Sequence, residues 1–341
     1  MTQAQIFPFL VADIGGTHTR YALVEGRDEA TGSFNVNQSR VFLSADYDSF
    51  SMSLEMFLET LSGPRPKNAC IAIAGPVSGD TVELTNVDWQ FSIEKLKKRY
   101  RFDSLLVIND FAALAYSLPF LPDNSLFEIK PGETNPGETK PGEHSDKGTK
   151  VVIGPGTGLG VAALISTGNG YYPVAGEGGH VAIASSNETE QALFKLLRQQ
   201  QQHISAEDLI CGKGLVRLYQ LYCRLNEQPV RNLAPDEVTQ HALANTDAMC
   251  VDALDSFLGL LGSYCGDLAL IFGATGGVYL GGGILPQIQP HIGQSQFLKR
   301  FVNKGVMRKM VKDIPVKLIT HRQPAFIGAA AWLYDHLEGV H

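Results

Sequence analysis

Three clusters of glycine follow or join short apolar runs, and they constrain the fold more than any other feature of this chain. The clusters lie at residues 13–17, 154–160 and 281–283. Glycine lets backbone N–H groups approach an anion with no Cβ in the way, so such turns can hold phosphate. A tight hairpin turn requires the same residues, so each cluster taken alone supports either interpretation equally.

The regions between the clusters alternate between two patterns, β-prone apolar runs and helical periodicity. Strands are predicted at 9–14, 19–25, 69–74, 104–108, 150–154, 160–165 and 278–280, and helices at 92–100, 111–118, 190–202, 205–225, 251–272 and 325–337. The first two strands form a hairpin, and so do those at 150–154 and 160–165. This alternation predicts an α/β protein with mixed or parallel sheets.

Composition excludes several classes of protein. The 341 residues include 44% hydrophobic and 18% charged residues, as expected of a globular chain of two domains. The 28 basic and 35 acidic residues give a net charge of −7, and no basic patch stands out, so nucleic acid is not an expected partner. The 5 cysteines contain no C-x-x-C pair, so neither a disulfide framework nor a zinc site is predicted.

The uncharged segment 268–285 is the one candidate for a membrane span. Its glycines would not hold a single lipid-spanning helix, so we predict the end of a buried helix, a turn and a strand. The first ten residues show neither a basic cluster nor a long apolar run, so no signal peptide is expected. The sequence therefore predicts a soluble, cytoplasmic protein with no membrane partner.

A five-residue repeat, PGETN-PGETK-PGE, occupies residues 131–143. Because it contains nothing apolar to bury, we interpret it as a solvated loop insertion at about 130–148. A binding role is the less favoured alternative.

Several motifs together resemble a known family. D-x-G-x-T at 13–17, G-T-G at 156–158 and the strand with its glycine turn at 281–283 resemble the phosphate-1, phosphate-2 and adenosine segments of the actin/hexokinase/Hsp70 ATPase superfamily. Five further segments resemble the bacterial glucokinase family, in that family's order and over nearly the whole chain: IAIAGPVSGD at 71–80, Leu84-Thr85-Asn86 with Trp89, INDF at 108–111, GEGGH at 176–180, and 205–207 with 214–215. The combination is highly specific, although each piece alone is not.

The resemblance implies a two-lobed actin-like ATPase (ribonuclease H-like) α/β fold with mixed sheets. The small lobe is expected at 1–119 plus 322–341 and the large lobe at 120–321, closing on a sugar. The implied activity is ATP-dependent phosphorylation of D-glucose at the 6-hydroxyl by a homodimer. A kinase for another hexose, such as mannose or an amino sugar, is an alternative, and so is a non-catalytic sugar sensor on the same fold.

Asp110 and Asn109 follow a predicted strand and precede a helix, a usual place for active residues in α/β sheets. From the residues alone, Asp110 is equally well explained as the N-cap of that helix, and Asn109 as a turn residue. The resemblance implies that Asp110 is the general base and that Asn109 binds sugar hydroxyls.

Glu177 and His180 have the E-x-x-H spacing of a metal site, but the two glycines between them argue against a helix. A loop that presents both side chains to a polyol fits better than a metal site, although the segment taken alone is more simply a polar surface loop. Glu207 is expected in a first helical turn, where the helix dipole favours a carboxylate. The resemblance implies that all three bind the sugar.

The resemblance also assigns the nucleotide site, with ATP and Mg²⁺ as cofactors. The residues expected at the phosphates and adenosine are Gly15, Gly16, Thr17, Gly156, Thr157, Gly158 and Gly282. Asp13 is expected to organise Mg²⁺, through water, because Mg²⁺ keeps several waters and uses few carboxylates. A turn-capping aspartate is the alternative for that residue.

The chain departs from the family pattern at three positions near these motifs. His18 stands where the family usually has Asn, and Cys211 and Lys213 stand where it has Ser and Pro. None of them is Asp110, so the departures bear on nucleotide affinity rather than on catalysis. The cysteine cluster of zinc-bearing relatives is missing, which disfavours a regulator built on this fold.

Overall fold

A computed structural model describes residues 6–75, 77, 79–84, 87–132, 147–167 and 170–340. The chain divides into two compact units, which we call the small unit (Met1–Ser125 with His321–His341) and the large unit (Leu126–Thr320). Residues 133–146, which include most of the PGE repeat, lie outside the described part, as do Thr85 and Asn86 of the glucokinase-like motifs.

The described residues form thirteen labelled strands and eleven labelled helices. The strands are β1 Phe9–Ile14, β2 His18–Arg27, β3 Phe34–Leu43, β4 Asn68–Ile73, β5 Thr81–Glu83, β6 Gln90–Ser92, β7 Ser104–Asn109, β8 Leu126–Lys130, β9 Lys150–Pro155, β10 Leu159–Ser166, β11 Tyr171–Gly176, β12 Gly277–Leu280 and β13 Val316–Ile319. The helices are α1 Phe50–Thr60, α2 Ile93–Tyr100, α3 Asp110–Ser117, α4 Glu188–Leu197, α5 Gly212–Leu225, α6 Pro235–Leu243, α7 Ala248–Phe272, α8 Gln289–Ile292, α9 Phe297–Phe301, α10 Arg308–Lys312 and α11 Pro324–Leu337. Short 3₁₀ turns lie at Ser44–Asp46, Leu118–Phe120, Asp123–Ser125, Gly178–His180, Leu285–Ile288 and Gly305–Met307.

The small unit is built on a five-stranded mixed sheet in the order β3-β2-β1-β4-β7. β1 and β2 form the predicted antiparallel hairpin, whereas β1, β4 and β7 run parallel. The C-terminal helix α11 packs on α3, and the approach is so close that a Cβ at Gly328 would lie 1.7 Å from the Ala113 carbonyl oxygen. Glycine at that position therefore allows the end of the chain to complete the small unit.

The large unit contains a six-stranded mixed sheet in the order β11-β10-β9-β12-β13-β8. β9, β12 and β13 are parallel, and β10 returns antiparallel from β9 as predicted. Its core includes most of α7, whose buried face carries residues such as Leu254, Phe257 and Leu261.

The membrane-span candidate has the predicted organisation. α7 ends at Phe272, Gly273 caps it with φ +57°, and β12 begins at Gly277. α7 is long and apolar enough to cross a membrane, but 67% of its most apolar stretch of 18 residues is buried inside the protein. The helix–turn–strand interpretation is therefore confirmed, and α7 is a core helix.

The predicted helix at 205–225 begins seven residues late. Ser205 and Asp208 do exchange the bonds of a capping box, at 2.9 Å (Ser205 N) and 3.2 Å (Asp208 N), but the chain continues through turns to Cys211. The break falls at Cys211, which is extended (φ −155°, ψ −180°), and the backbone N–H of Gly212 donates to the Gly156 carbonyl at 2.9 Å rather than within a helix. Because a distant loop takes this donor, the segment folds onto that loop rather than into the helix.

Candidate active site

The carboxyl ends of β1, β4 and β7 bring Asp13, Asn109 and Asp110 to one edge of the small-unit sheet. The parallel register aligns Ile14 with Ile73, and Ile73 with Asn109. Adjacent strands lie about 4.8 Å apart, so the ends of β1 and β7 are about 10 Å from each other. The structure thus joins two motifs that lie nearly one hundred residues apart in the sequence.

Asn109 is the N-cap of α3, and Asp110 is the first helical residue. The Asn109 Oδ1 accepts from Ala112 N at 3.0 Å, and its Nδ2 donates to the Gly75 carbonyl at 3.1 Å. The Asp110 Oδ1 accepts from the amide of Phe111 at 2.8 Å. The alternative in which Asp110 is only the helix cap is wrong, because Asn109 occupies that position.

Asp13 is held by an arginine from the neighbouring strand. Asp13 on β1 lies opposite Arg20 on β2, whose Nη1 donates to Oδ2 at 3.2 Å. Burial raises the pKa of Asp13, and the Arg20 guanidinium partly opposes that shift. Among the described residues, no group of three or more His, Cys, Asp and Glu side chains is placed to hold a metal ion. Water and a ligand would thus have to complete the coordination of any metal at Asp13.

The turn between β9 and β10 forms the second glycine loop. Gly156 N donates to Gly158 O at 2.8 Å, and Thr157 at its tip is exposed. A Cβ at Gly156 would meet nothing within 4 Å, and its φ is not positive. Packing of this unit therefore does not explain why residue 156 is glycine.

The third glycine loop lies beside the second, at the same edge of the large-unit sheet. β12 runs parallel to β9, and Gly281 N donates to Ile153 O at 2.8 Å. Gly282 has φ +81°, and a Cβ there would lie 2.3 Å from the Pro155 carbonyl oxygen. Gly282 is thus required both by its backbone conformation and by its close approach to the β9–β10 turn.

Glu177 precedes the 3₁₀ turn Gly178–His180, which His180 ends, and both side chains are mostly exposed. Their side chains are 67% and 64% exposed, and Oε2 of Glu177 lies 4.0 Å from Nε2 of His180. The glycines between them pack on β10, where a Cβ at Gly179 would lie 2.3 Å from the Leu159 carbonyl oxygen. Tyr264 also donates to the Gly178 carbonyl, at 2.5 Å. The loop is therefore fixed while its polar side chains remain accessible.

Glu207 lies in the turn before α5, not in a first helical turn as predicted. Its Oε2 accepts from the amide of Leu159 at 2.7 Å, and its own amide donates to Gly179. A Cβ at Gly158 would lie 2.5 Å from that same Oε2. Glu207 thus links the 178–180 turn to the β9–β10 turn, a role that the sequence did not indicate.

Cys211 occupies the N-cap of α5, where its sulfur accepts from Gly214 N at 3.3 Å. A thiol is a weaker acceptor than a hydroxyl. We expect Cys211→Ser to raise the free energy of unfolding by about 0.5–1 kcal/mol, measured by urea denaturation. Cys211→Ala is the control and should be less stable than the wild type, since it removes the acceptor. An alanine variant as stable as the serine variant would contradict this role.

Three residues of the site were missed by sequence reasoning: Arg20, which pairs with Asp13; Tyr264, which holds Gly178; and Ser44, which contacts the first glycine loop. Arg20 could have been found from the hairpin register, because residues 13 and 20 face each other across a turn at 15–18. Neither Tyr264 nor Ser44 carries any local signal of its contact.

A family model and curated relatives both match this chain. A family model described as Glucokinase matches residues 10–336. The glucokinase of Saccharophagus degradans is 42% identical over 328 residues, covering 96% of this chain and 98% of that protein. The glucokinase of Cupriavidus metallidurans is 38% identical over 338 residues, covering 98% and 96%.

Solved structures show the same fold. The crystal structure of a glucokinase from an Antarctic psychrotroph has a TM-score of 0.86 and 37% identity, covering 96% of this chain and 99% of that one. A ROK family glucokinase from Streptomyces griseus, solved with glucose and AMPPNP, has a TM-score of 0.65 at 18% identity, covering 96% and 100%. At that identity the second similarity concerns the fold alone.

The sheets and glycine loops therefore define a sugar kinase of the actin-like α/β class, and the predicted fold class is confirmed. The family model and the relatives that span nearly the whole chain identify the family, which the fold alone does not. The chain belongs to the glucokinase family, which confirms the resemblance read from the motifs.

Proposed function

We propose that the protein transfers the γ-phosphoryl group of ATP to the 6-hydroxyl of D-glucose, with Asp110 as the general base. The observation that carries the proposal is the shared sheet edge in the small unit, where the ends of β1 and β7 present the first glycine loop and Asp110 about 10 Å apart. A base at that edge can accept the proton of an attacking hydroxyl. The names of the curated relatives support glucose as the acceptor.

Each glycine loop has a proposed role at the nucleotide. Gly15, Gly16 and Thr17 contact the transferred phosphate, Gly156, Thr157 and Gly158 the other phosphates, and Gly282 the adenosine side. The space around Gly156 supports this assignment, because neither neighbouring atoms nor φ requires glycine there. A ligand approaching the backbone would require it.

The polar side chains of the large unit are proposed to bind the sugar. Glu177 and His180 are exposed on a turn that packing holds in place, so they can accept from and donate to sugar hydroxyls. Glu207 has one oxygen occupied by the amide of Leu159, so its contribution to the sugar would come from its other oxygen.

Asn109 of the small unit is also proposed to bind the sugar. Its Oδ1 and one Nδ2 proton are bonded within the small unit, which leaves its second Nδ2 proton for a sugar hydroxyl.

Mg²⁺ fits the residues present at Asp13. This ion uses one or two carboxylates, substrate phosphates and several waters, and Asp13 supplies one carboxylate beside the phosphate loop. Arg20 occupies Oδ2, so Asp13 would act through Oδ1 and a water. The ion, when bound with the nucleotide, would neutralise charge that develops on the phosphates.

We also propose that the enzyme is a cytoplasmic homodimer, as the resemblance implies. Sedimentation equilibrium of the purified protein tests the dimer.

A panel of hexoses tests the proposed reaction. We expect ATP-dependent turnover with glucose to give glucose 6-phosphate and the highest kcat/KM of the panel. A higher kcat/KM for mannose or for an N-acetylated amino sugar would make the protein a kinase for that sugar. An absence of turnover with every hexose would leave a sugar sensor as the function.

A further inference from the structure

Ser44 directly follows β3 and contacts the first glycine loop at two points. Its Oγ donates to the Gly15 carbonyl at 3.2 Å, and its backbone N donates to the Thr17 carbonyl at 3.0 Å. Its Oγ also lies 3.1 Å from Oγ1 of Thr19. Ser44 is 1% exposed and Thr19 is fully buried, so solvent does not compete for these bonds.

The direction of the hydroxyl bonds follows from their protons. A serine hydroxyl has one proton, and Ser44 gives its proton to the Gly15 carbonyl. The Thr19 hydroxyl must therefore be the donor to Ser44. The result is a buried relay from Thr19 through Ser44 to the glycine loop, in which each bond strengthens the next.

The relay orients a backbone amide on the opposite side of the loop. The Gly15–Gly16 peptide is trans, so its C=O and N–H point in opposite directions. By drawing the Gly15 carbonyl inward, Ser44 directs the Gly16 N–H away from the protein interior. The bond from Ser44 N to the Thr17 carbonyl likewise fixes the Thr17–His18 peptide. The two peptides that flank Gly16–Thr17 are thus both held by one residue.

We propose that Ser44 is a positioning residue for phosphoryl transfer, which presents the Gly16 N–H to the transferred phosphate. The inference rests on the proposed function, since that function places this loop at the phosphate. Preorganised N–H groups act on the charge that develops in the transition state. Loss of the Ser44 hydroxyl should therefore reduce kcat more than sugar binding.

Ser53 provides a matched control in the same unit. It is also a fully buried serine, and its Oγ bonds one side-chain hydroxyl, that of Tyr21 at 2.6 Å, and one carbonyl, that of Phe50 at 3.0 Å. It thus has the same kinds of partner as Ser44 without contact to a glycine loop. Ser44→Ala and Ser53→Ala should lower Tm by similar amounts.

Steady-state kinetics of the full-length variants separate the two serines. We expect Ser44→Ala to lower kcat about tenfold and to leave the KM for glucose within about twofold of wild type. Ser53→Ala should leave both values unchanged. Equal kcat values for the two alanine variants would overturn the proposal.

Two further measurements cover the remaining outcomes. Thr19→Val keeps the side-chain volume but removes the donor to Ser44. It should lower kcat about threefold, and it tests the relay even if Ser44→Ala does not fold. A wild-type kcat for Thr19→Val would refute the relay.

Calorimetric titration with AMPPNP measures nucleotide binding and does not need sugar turnover. Because the same Gly16 N–H would also face the γ-phosphate of the bound nucleotide, we expect Ser44→Ala to bind AMPPNP more weakly than wild type. A wild-type chain that binds AMPPNP without phosphorylating any hexose refutes the proposed reaction alone. In that case, unchanged AMPPNP affinity in Ser44→Ala refutes the positioning role.

Discussion

Asp110→Asn is expected to lower kcat at least ~10²-fold, the lower end of the effect of removing a general base. Asparagine keeps the shape of the side chain and an oxygen for the bond from Phe111 N, but it cannot accept the proton of the attacking hydroxyl. Asn109, not Asp110, caps α3, so the fold should survive the change. A coupled assay for glucose 6-phosphate gives kcat, and CD confirms the fold.

Glu94→Gln is the matched control for this substitution. Glu94 is also an acidic residue in the first turn of a helix of the small unit, at the start of α2. Its neutralisation removes a comparable interaction with a helix dipole, worth about 0.3–1 kcal/mol. The substitution leaves the sheet edge that carries Asp110 unchanged. We expect its kcat to stay at the wild-type value. An Asp110→Asn enzyme with a kcat within threefold of wild type would refute the role of general base.

Glu190→Gln is expected to lower the free energy of unfolding of the large unit by about 3–5 kcal/mol, because it leaves a buried guanidinium without its counter-charge. Glu190 is 1% and Arg300 9% exposed, and two bonds of 2.6 and 3.2 Å join them. Ser186 N donates to the same carboxylate at 2.7 Å. The pair therefore connects α4 to α9 inside the core.

Urea denaturation followed by far-UV CD measures this loss of free energy of unfolding. An exposed ion pair provides the loss expected when no buried charge is left unpaired. Glu55→Gln breaks the Arg99–Glu55 pair, whose side chains are 55% and 50% exposed, and should cost less than about 1 kcal/mol. Replacing Glu190 by Leu and Arg300 by Met together should cost less than Glu190→Gln, since no charge stays buried. Equal losses for Glu190→Gln and Glu55→Gln would show that the buried pair is not a structural link.

The elements that local pattern defines were predictable. The hairpin of β1 and β2 follows from two apolar runs around Gly15-Gly16, and α2 begins after Ser92, whose Oγ accepts from Lys95 N at 3.1 Å as a cap should. The segment after α7 was also predicted, because its glycines break a helix in a way that needs no distant partner. The start of α5 was not, because Cys211 is extended and the N–H of Gly212 is bonded to Gly156 in the distant β9–β10 turn.

The sequence by itself determined the α/β class, the three glycine loops and membership of the glucokinase family, since these depend on residue order and short spacing. Only the tertiary structure decided which distant residues hold those loops. Ser44 lies 29 residues from Gly15, and Glu207 lies 48 from Leu159. The core ion pair, which holds no loop, likewise joins residues 110 apart, Glu190 and Arg300. Strand order and register bring such pairs together, and no local periodicity encodes which strands become neighbours.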